Sequence, residues 1–202
     1  GLASYYSLSN SKQILLDAAK RDLLIANQVL GRNLQLKLQG PANDARLLAE
    51  QPQPLQILLD HPNKAREQLA LTRMFEAVLE ANPEYLRLRL ISAQQHGLEL
   101  LSVARSGRQT SDTLKERGHF DYVFKTLQLV PGEQFLSEIS PQRMDANGAL
   151  TLQLASPVWS EKAIGVVVLS FDVTGLLERL TSELPANYQV FLANNQGKLL
   201  LD

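Results

Sequence analysis

Between about Ser9 and Gln39 apolar residues recur at alternating spacings of three and four. Leu16, Ala19, Leu23, Ala26 and Leu30 form a heptad seam that Ile25 and Val29 widen, with Asp17 and Arg21 paired at i, i+4. The spacing predicts one helix of about 30 residues, roughly 45 Å long at 1.5 Å per residue. Gly40-Pro41 is expected to stop it. So long a helix exceeds what a small core needs, and its N-terminal half either pairs with a second copy or continues into a further segment. A second helical stretch, "LLAEQPQPLQILLD", is interrupted at Pro52 and Pro54. A third helix runs from about Pro62 to Ala81, with Ala65, Leu69, Phe75, Val78 and Leu79 on one face, and Asn82-Pro83 ends it.

At Tyr85 the period changes from helical to two. "YLRLRLISAQQHGLELLSVAR" reads as two strands around a polar turn that ends in Gly97. Alternation puts Leu86, Leu88 and Leu90 on one face and Tyr85, Arg87, Arg89 and Ile91 on the other. A short helix within "SDTLKERGHFDYVFKTLQLVPGE" is expected to turn Phe120, Val123, Phe124 and Leu127 inward. "QFLSEISP" reads as a strand, Asn147-Gly148 as a turn, and "LTLQLASPVW" as a further strand. "AIGVVVLSFD" is almost wholly apolar and therefore central. "VTGLLERLTSEL" closes the order as a helix that Asp172 or Thr174 can cap. Strands at hairpin spacing with helices gathered on one side make an α+β fold on an antiparallel sheet.

The hairpin has an echo. "ISAQQHGLELL" (91–101) aligns with "FLANNQGKLLL" (191–201) at an offset of 100 residues, matching Ala93 to Ala193, Gly97 to Gly197, Leu100 to Leu200 and Leu101 to Leu201. Two similar sheet modules in tandem would leave such a repeat. The expected organisation is a long N-terminal helix (1–50), a first module (51–184) and the start of a second (185–202).

Composition removes several classes of function. The 202 residues carry 20 basic and 21 acidic side chains with no block of like charge, which excludes nucleic acid as an expected partner. Without cysteine there is no disulfide, thiolate metal site or thiol nucleophile. The longest apolar run, Ala163 to Phe171, falls well short of the ~20 residues that span a bilayer. No signal peptide opens the chain, so any membrane anchor is expected outside it. His61, His96 and His119 lie far apart, and no phosphate-cradling or nucleophile-elbow motif occurs. The expectation is a non-enzyme with no cofactor and no metal.

The order of elements resembles the extracytoplasmic double-Cache, PAS-like sensor domains of bacterial transmembrane receptors. Four stretches carry the resemblance: the long opening helix; the hairpin from Tyr85 to Arg105 with Glu99; "GEQFLSEISPQRMDANGALTLQLASPVW" with Pro157-Val158-Trp159; and "EKAIGVVVLSFDVTGLLERL" with Gly165 and Asp172. The resemblance implies a periplasmic module that binds a small-molecule ligand, carried by a membrane-anchored histidine kinase, diguanylate cyclase or chemoreceptor. Homodimerisation through the N-terminal helix is a separate expectation, from that helix's surplus length. An alternative role is docking a periplasmic binding protein that itself holds the signal. The aspartate of the amino-acid-sensing subgroup matches Asp172, but the Arg-aromatic-Tyr cluster that accompanies it is not found; helix capping is the other reading of Asp172.

In such a module one sheet face packs on the helical side and the other lines the ligand cavity. The leucines of the hairpin suit the first, which turns Arg87 and Arg89 towards the second. A guanidinium fork binds a carboxylate with two parallel hydrogen bonds. The other reading pairs these arginines with Glu99 or Glu138 across the sheet, or leaves them in solvent. Tyr122 and Ser137 lie on elements expected to close the cavity. The candidate ligand-binding residues are thus Arg87, Arg89, Tyr122, Ser137 and Asp172, for a small, anionic metabolite.

Overall fold

A computed structural model describes residues 2–94, 96–105, 121–137, 140–141, 150–184 and 186. Phe120, Glu138, the turn at Asn147-Gly148 and the second-module hairpin lie outside the described residues. Two compact units are present: Leu38–Thr174, and the described parts of Gly1–Lys37 with Gly175–Asp202.

The latter unit holds helices α1 (Leu2–Lys37) and α6 (Thr174–Ser182). On α1, Leu30 and Leu34 are buried, whereas Ile25 and Val29, expected to widen the buried stripe, are exposed along with Ile14, Leu24 and Leu36. On α6, Leu176, Leu177 and Leu180 are buried. Gly40-Pro41 does not act as a stop. Helix α1 ends at Lys37, and after Leu38 α2 (Gln39–Ala49) starts with both residues in its first turn. The first turn has no intrahelical acceptors to offer, so a proline there loses no hydrogen bond.

The unit Leu38–Thr174 is an antiparallel sheet with helices on both faces. Helices α3 (Pro52–Leu58) and α4 (Lys64–Ala81) follow α2, and Pro52 opens α3 at its first position. The strands are β1 (Tyr85–Ser92), β2 (Glu99–Ala104), β3 (Phe135–Leu136), β4 (Ser140–Pro141), β5 (Leu150–Trp159) and β6 (Ala163–Asp172). Their order is β2-β1-β6-β5-β3, with β4 also paired to β5. The apolar "AIGVVVLSFD" strand is central, as its composition requires. "QFLSEISP" forms two short strands, β3 and β4, rather than one.

Register defines the two faces. Leu88 pairs with Leu169, Leu90 with Val167, and Leu154 with Leu169, so these side chains share one face. Helices α2 and α3 pack on it over β5 and β6, and α4 packs on it over β1 and β2. The close approach of α3 requires Gly165: a Cβ there would lie 2.5 Å from Leu58 Cδ1 and 2.8 Å from the Ile91 carbonyl oxygen. The buried line of α4 is Leu71, Phe75 and Leu79. Leu69 and Ala65 are exposed instead. Leu69 stands two residues from Leu71, about 200° around the helix.

The opposite face carries Ile91, Ala155, Val166 and Val168, which cluster with Val123 of α5 (Asp121–Thr126). Helices therefore do not gather on one side alone. Phe124 of α5, expected inward, is exposed, while Val123 next to it points in. A six-residue helix lying on a sheet can bury only a narrow stripe.

A bulge shifts the register between Tyr85 and Arg87. Leu86 is its extra residue, and Tyr85 consequently moves from the arginine face to the leucine face. There its ring lies 5.9 Å from that of Phe171, tilted by 59°, and its hydroxyl donates to Asp44 of α2 at 2.5 Å. Burial, followed by the hydrogen bond to Asp44, pushes the phenol's pKa well above its ordinary value. At the far end of β2, Arg105 donates to the carbonyls of Leu79 and Asn82 and so closes the C-terminus of α4.

Candidate ligand-binding site

Alternation and the β1–β2 and β1–β6 registers bring the polar side chains of four strands together. Arg89 is opposite Ser102 on one side and Val168 on the other, and Arg87 is opposite Ala104 and Ser170. Arg87 Nη1 donates to Ser102 Oγ at 2.8 Å. Arg89 Nη1 donates to Ser170 Oγ at 3.0 Å, and that hydroxyl donates on to Gln153 Oε1 at 2.6 Å. On the other side of Arg89, Nε lies 3.5 Å from Glu99 Oε2. A hydrogen-bonded and ion-paired row thus runs Glu99–Arg89–Ser170–Gln153 across β2, β1, β6 and β5.

The two arginines differ in how their charge is met. The Arg89 side chain is 12% exposed and that of Glu99 5%, so their charges are held together away from bulk water. A buried carboxylate beside a buried guanidinium makes the pair neutral overall. Arg87 is half-buried, and Ser102 is a neutral partner. Among the described residues no carboxylate pairs with Arg87. Among the described residues, the face therefore presents one uncompensated positive charge beside the apolar cluster of Ile91, Val166, Val168 and Val123.

The other candidates fall into three positions. Ser137, just past β3, exchanges hydrogen bonds with Gln153: Gln153 N–H donates to Ser137 Oγ at 2.8 Å and Ser137 N–H to the Gln153 carbonyl at 3.0 Å. It thus ends the polar row. Tyr122 on α5 packs half-buried against the apolar cluster. Asp172 has the parity of Ser170, but its Oδ1 accepts the Thr174 N–H at 2.9 Å, at the start of α6. Its carboxylate is committed to the helix start, while the Thr174 hydroxyl accepts from Leu150 N–H. The structure joins Arg87, Arg89 and Ser137 through shared neighbours and places Tyr122 at the apolar end.

The sequence offers Glu99 as a partner, while Ser102, Ser170 and Gln153 join through the strand register. Ser170 had a legible signal: it is the lone hydroxyl in the apolar run of β6, and a polar group buried in a central strand needs a partner.

A five-stranded path of antiparallel strands, β2-β1-β6-β5-β3, follows a long helix and carries α5 on its second face. Solved structures share this arrangement. A domain of a sensory box/GGDEF family protein from Vibrio parahaemolyticus matches with a TM-score of 0.61 at 17% identity, over 80% of this chain and 63% of its own. The sensor domain of the V. cholerae histidine kinase DctB matches at 0.59 and 16% identity, over 83% and 59%. The chain shares the fold of these domains. The ligand-binding domain of the Campylobacter jejuni chemoreceptor Tlp3, in complex with L-valine, matches at 0.52 and 12% identity, over 86% and 67%. The chain spans about three fifths of the length of the first of these structures. No protein-family model matches it, and no curated protein sequence does.

Proposed function

We propose that this Cache-type domain is the extracytoplasmic ligand-sensing part of a membrane-anchored signalling receptor, and that it binds a small metabolite bearing one carboxylate. The observation that carries the reading is the charge on the arginine face. Arg89 is matched by Glu99, whereas among the described residues Arg87 offers its fork with only Ser102 hydrogen-bonded to it. A single carboxylate would complete that balance, and the ligand's apolar part would rest on the half-buried Tyr122 at the edge of the apolar cluster. The Tlp3 complexes with L-valine and L-norvaline support small-molecule binding on this fold. The role is binding rather than catalysis. Residues 185–202 begin a second module, and α1 carries the signal through a shift between two packings. The exposed Ile14, Leu24, Ile25, Val29 and Leu36 of α1 suit a homodimer contact.

A thermal-shift screen of small carboxylates tests this. The reading expects at least one saturable stabiliser, with Arg87→Ala weakening it about tenfold to a hundredfold, the worth of one charged hydrogen-bonded contact. A complete absence of stabilising carboxylates at millimolar concentration would sink it.

A further inference from the structure

A concavity lies away from Arg87 and Arg89. It has a volume of about 200 Å³ and forms where the end of α2 and the start of α3 approach the last residues of β5 and the loop Pro131–Glu133. Arg46, Glu50, Leu55, Glu133, Pro157 and Trp159 are among the side chains that line it. Gln153 of the polar row and Trp159 stand six residues apart on β5, roughly 20 Å in an extended strand.

Three features define what the cleft can take. The guanidinium of Arg46, half-buried on α2, makes no hydrogen bond or ion pair with a described residue. Glu50 and Glu133 stand exposed at the same rim; the Glu133 carboxylate accepts the Val130 N–H at 3.0 Å and keeps further acceptor capacity. Trp159 donates its indole N–H to the Leu129 carbonyl at 3.1 Å, so the polar end of the side chain is satisfied and its ring remains as an apolar wall. A simple anion would meet Arg46 but be opposed by two carboxylates. A simple cation would meet the carboxylates but be opposed by Arg46. A dipolar molecule satisfies both. An added β-strand does not suit the site, because Pro157 has no N–H for a sheet ladder. The volume suits a small molecule instead.

We propose that this cleft is a second binding site, for a small zwitterion. Its carboxylate lies on the Arg46 fork, its ammonium group on Glu50 or Glu133, and its side chain on the Trp159 ring.

Trp159 is the only tryptophan of the chain, so its emission reports on this cleft directly. Glycine, leucine and phenylalanine are titrated against acetate and butylamine as single-charge controls. The zwitterions are expected to change the emission saturably, with leucine and phenylalanine ahead of glycine, while the controls do not. Arg46→Ala should weaken binding about tenfold to a hundredfold. The double variant Glu50→Gln/Glu133→Gln, altered at exposed positions that the fold does not depend on, should bind acetate better than the parent does. Arg87→Ala should leave the fluorescence titration unchanged, which separates this site from the arginine face. No response to any zwitterion, equal response to acetate, or a response lost in Arg87→Ala but kept in Arg46→Ala would each overturn the proposal.

Discussion

Replacing Glu99 by Gln keeps the shape of the side chain and removes its charge from the row. Its Oε2 lies 3.5 Å from Arg89 Nε, and the two side chains are 5% and 12% exposed. At that separation and an effective dielectric constant near 20, the attraction is about 5 kcal/mol. Desolvation of the two ions offsets much of this in the intact pair, but the single substitution takes the Glu99 charge away from a buried guanidinium. Breaking a buried pair in this way costs about 3–5 kcal/mol. The Ser170 hydroxyl still accepts from Arg89, so we place the loss near ~3 kcal/mol. For a chain of this length that corresponds to a melting temperature lower by roughly 6–12 °C. Urea unfolding followed by circular dichroism gives the free energy directly. The double variant Arg89→Leu/Glu99→Leu removes both charges and should recover most of the loss. A loss below about 1 kcal/mol, the range of solvated surface pairs, would refute the reasoning, as would a double variant no more stable than the single one.

Other outcomes follow from the same geometry. Gly165→Ala must displace Leu58 or the β1 backbone at Ile91, and should cost about 1–3 kcal/mol in urea unfolding with little change in secondary structure. Asp172→Ala should cost about 1 kcal/mol through the lost hydrogen bond at the start of α6, while carboxylate affinity stays the same in calorimetry. The Tyr85 phenol has a folded pKa raised above its ordinary value of 10.0. Its contribution is therefore fully present below pH 10 and is lost as pH rises, because the unfolded tyrosine ionises first. Tyr85→Phe should flatten the fall in stability above about pH 10, measured by denaturation across alkaline buffers.

The α+β order, the central apolar strand and the placing of Arg87 and Arg89 opposite the leucines were legible in the sequence, because they depend on periods of two and 3.6 that side chains enforce locally. The position of Tyr85 was not. A bulge adds one residue to β1, and one residue is enough to exchange faces. Gly40-Pro41 carries the same residue signal at a helix stop and in a helix's first turn, so only the course of the backbone distinguishes them. Leu69 and Phe124 were misplaced because each has an apolar neighbour close in sequence, Leu71 or Val123, that takes the buried position. At the candidate site, the chemistry of the arginines was readable but their compensation was not. Which arginine meets Glu99, and which meets Ser102, depends on the register between β1 and β2 and on the bulge between Leu90 and Ile91.

That division of charge is the central claim, and a cycle of paired titrations tests it. A stabilising carboxylate and its carboxamide analogue are each titrated calorimetrically into the parent protein and into Arg87→Ala. The account expects the parent to prefer the carboxylate about tenfold to a hundredfold, and expects that preference to vanish in Arg87→Ala. A preference that survives the loss of Arg87 undiminished would contradict it.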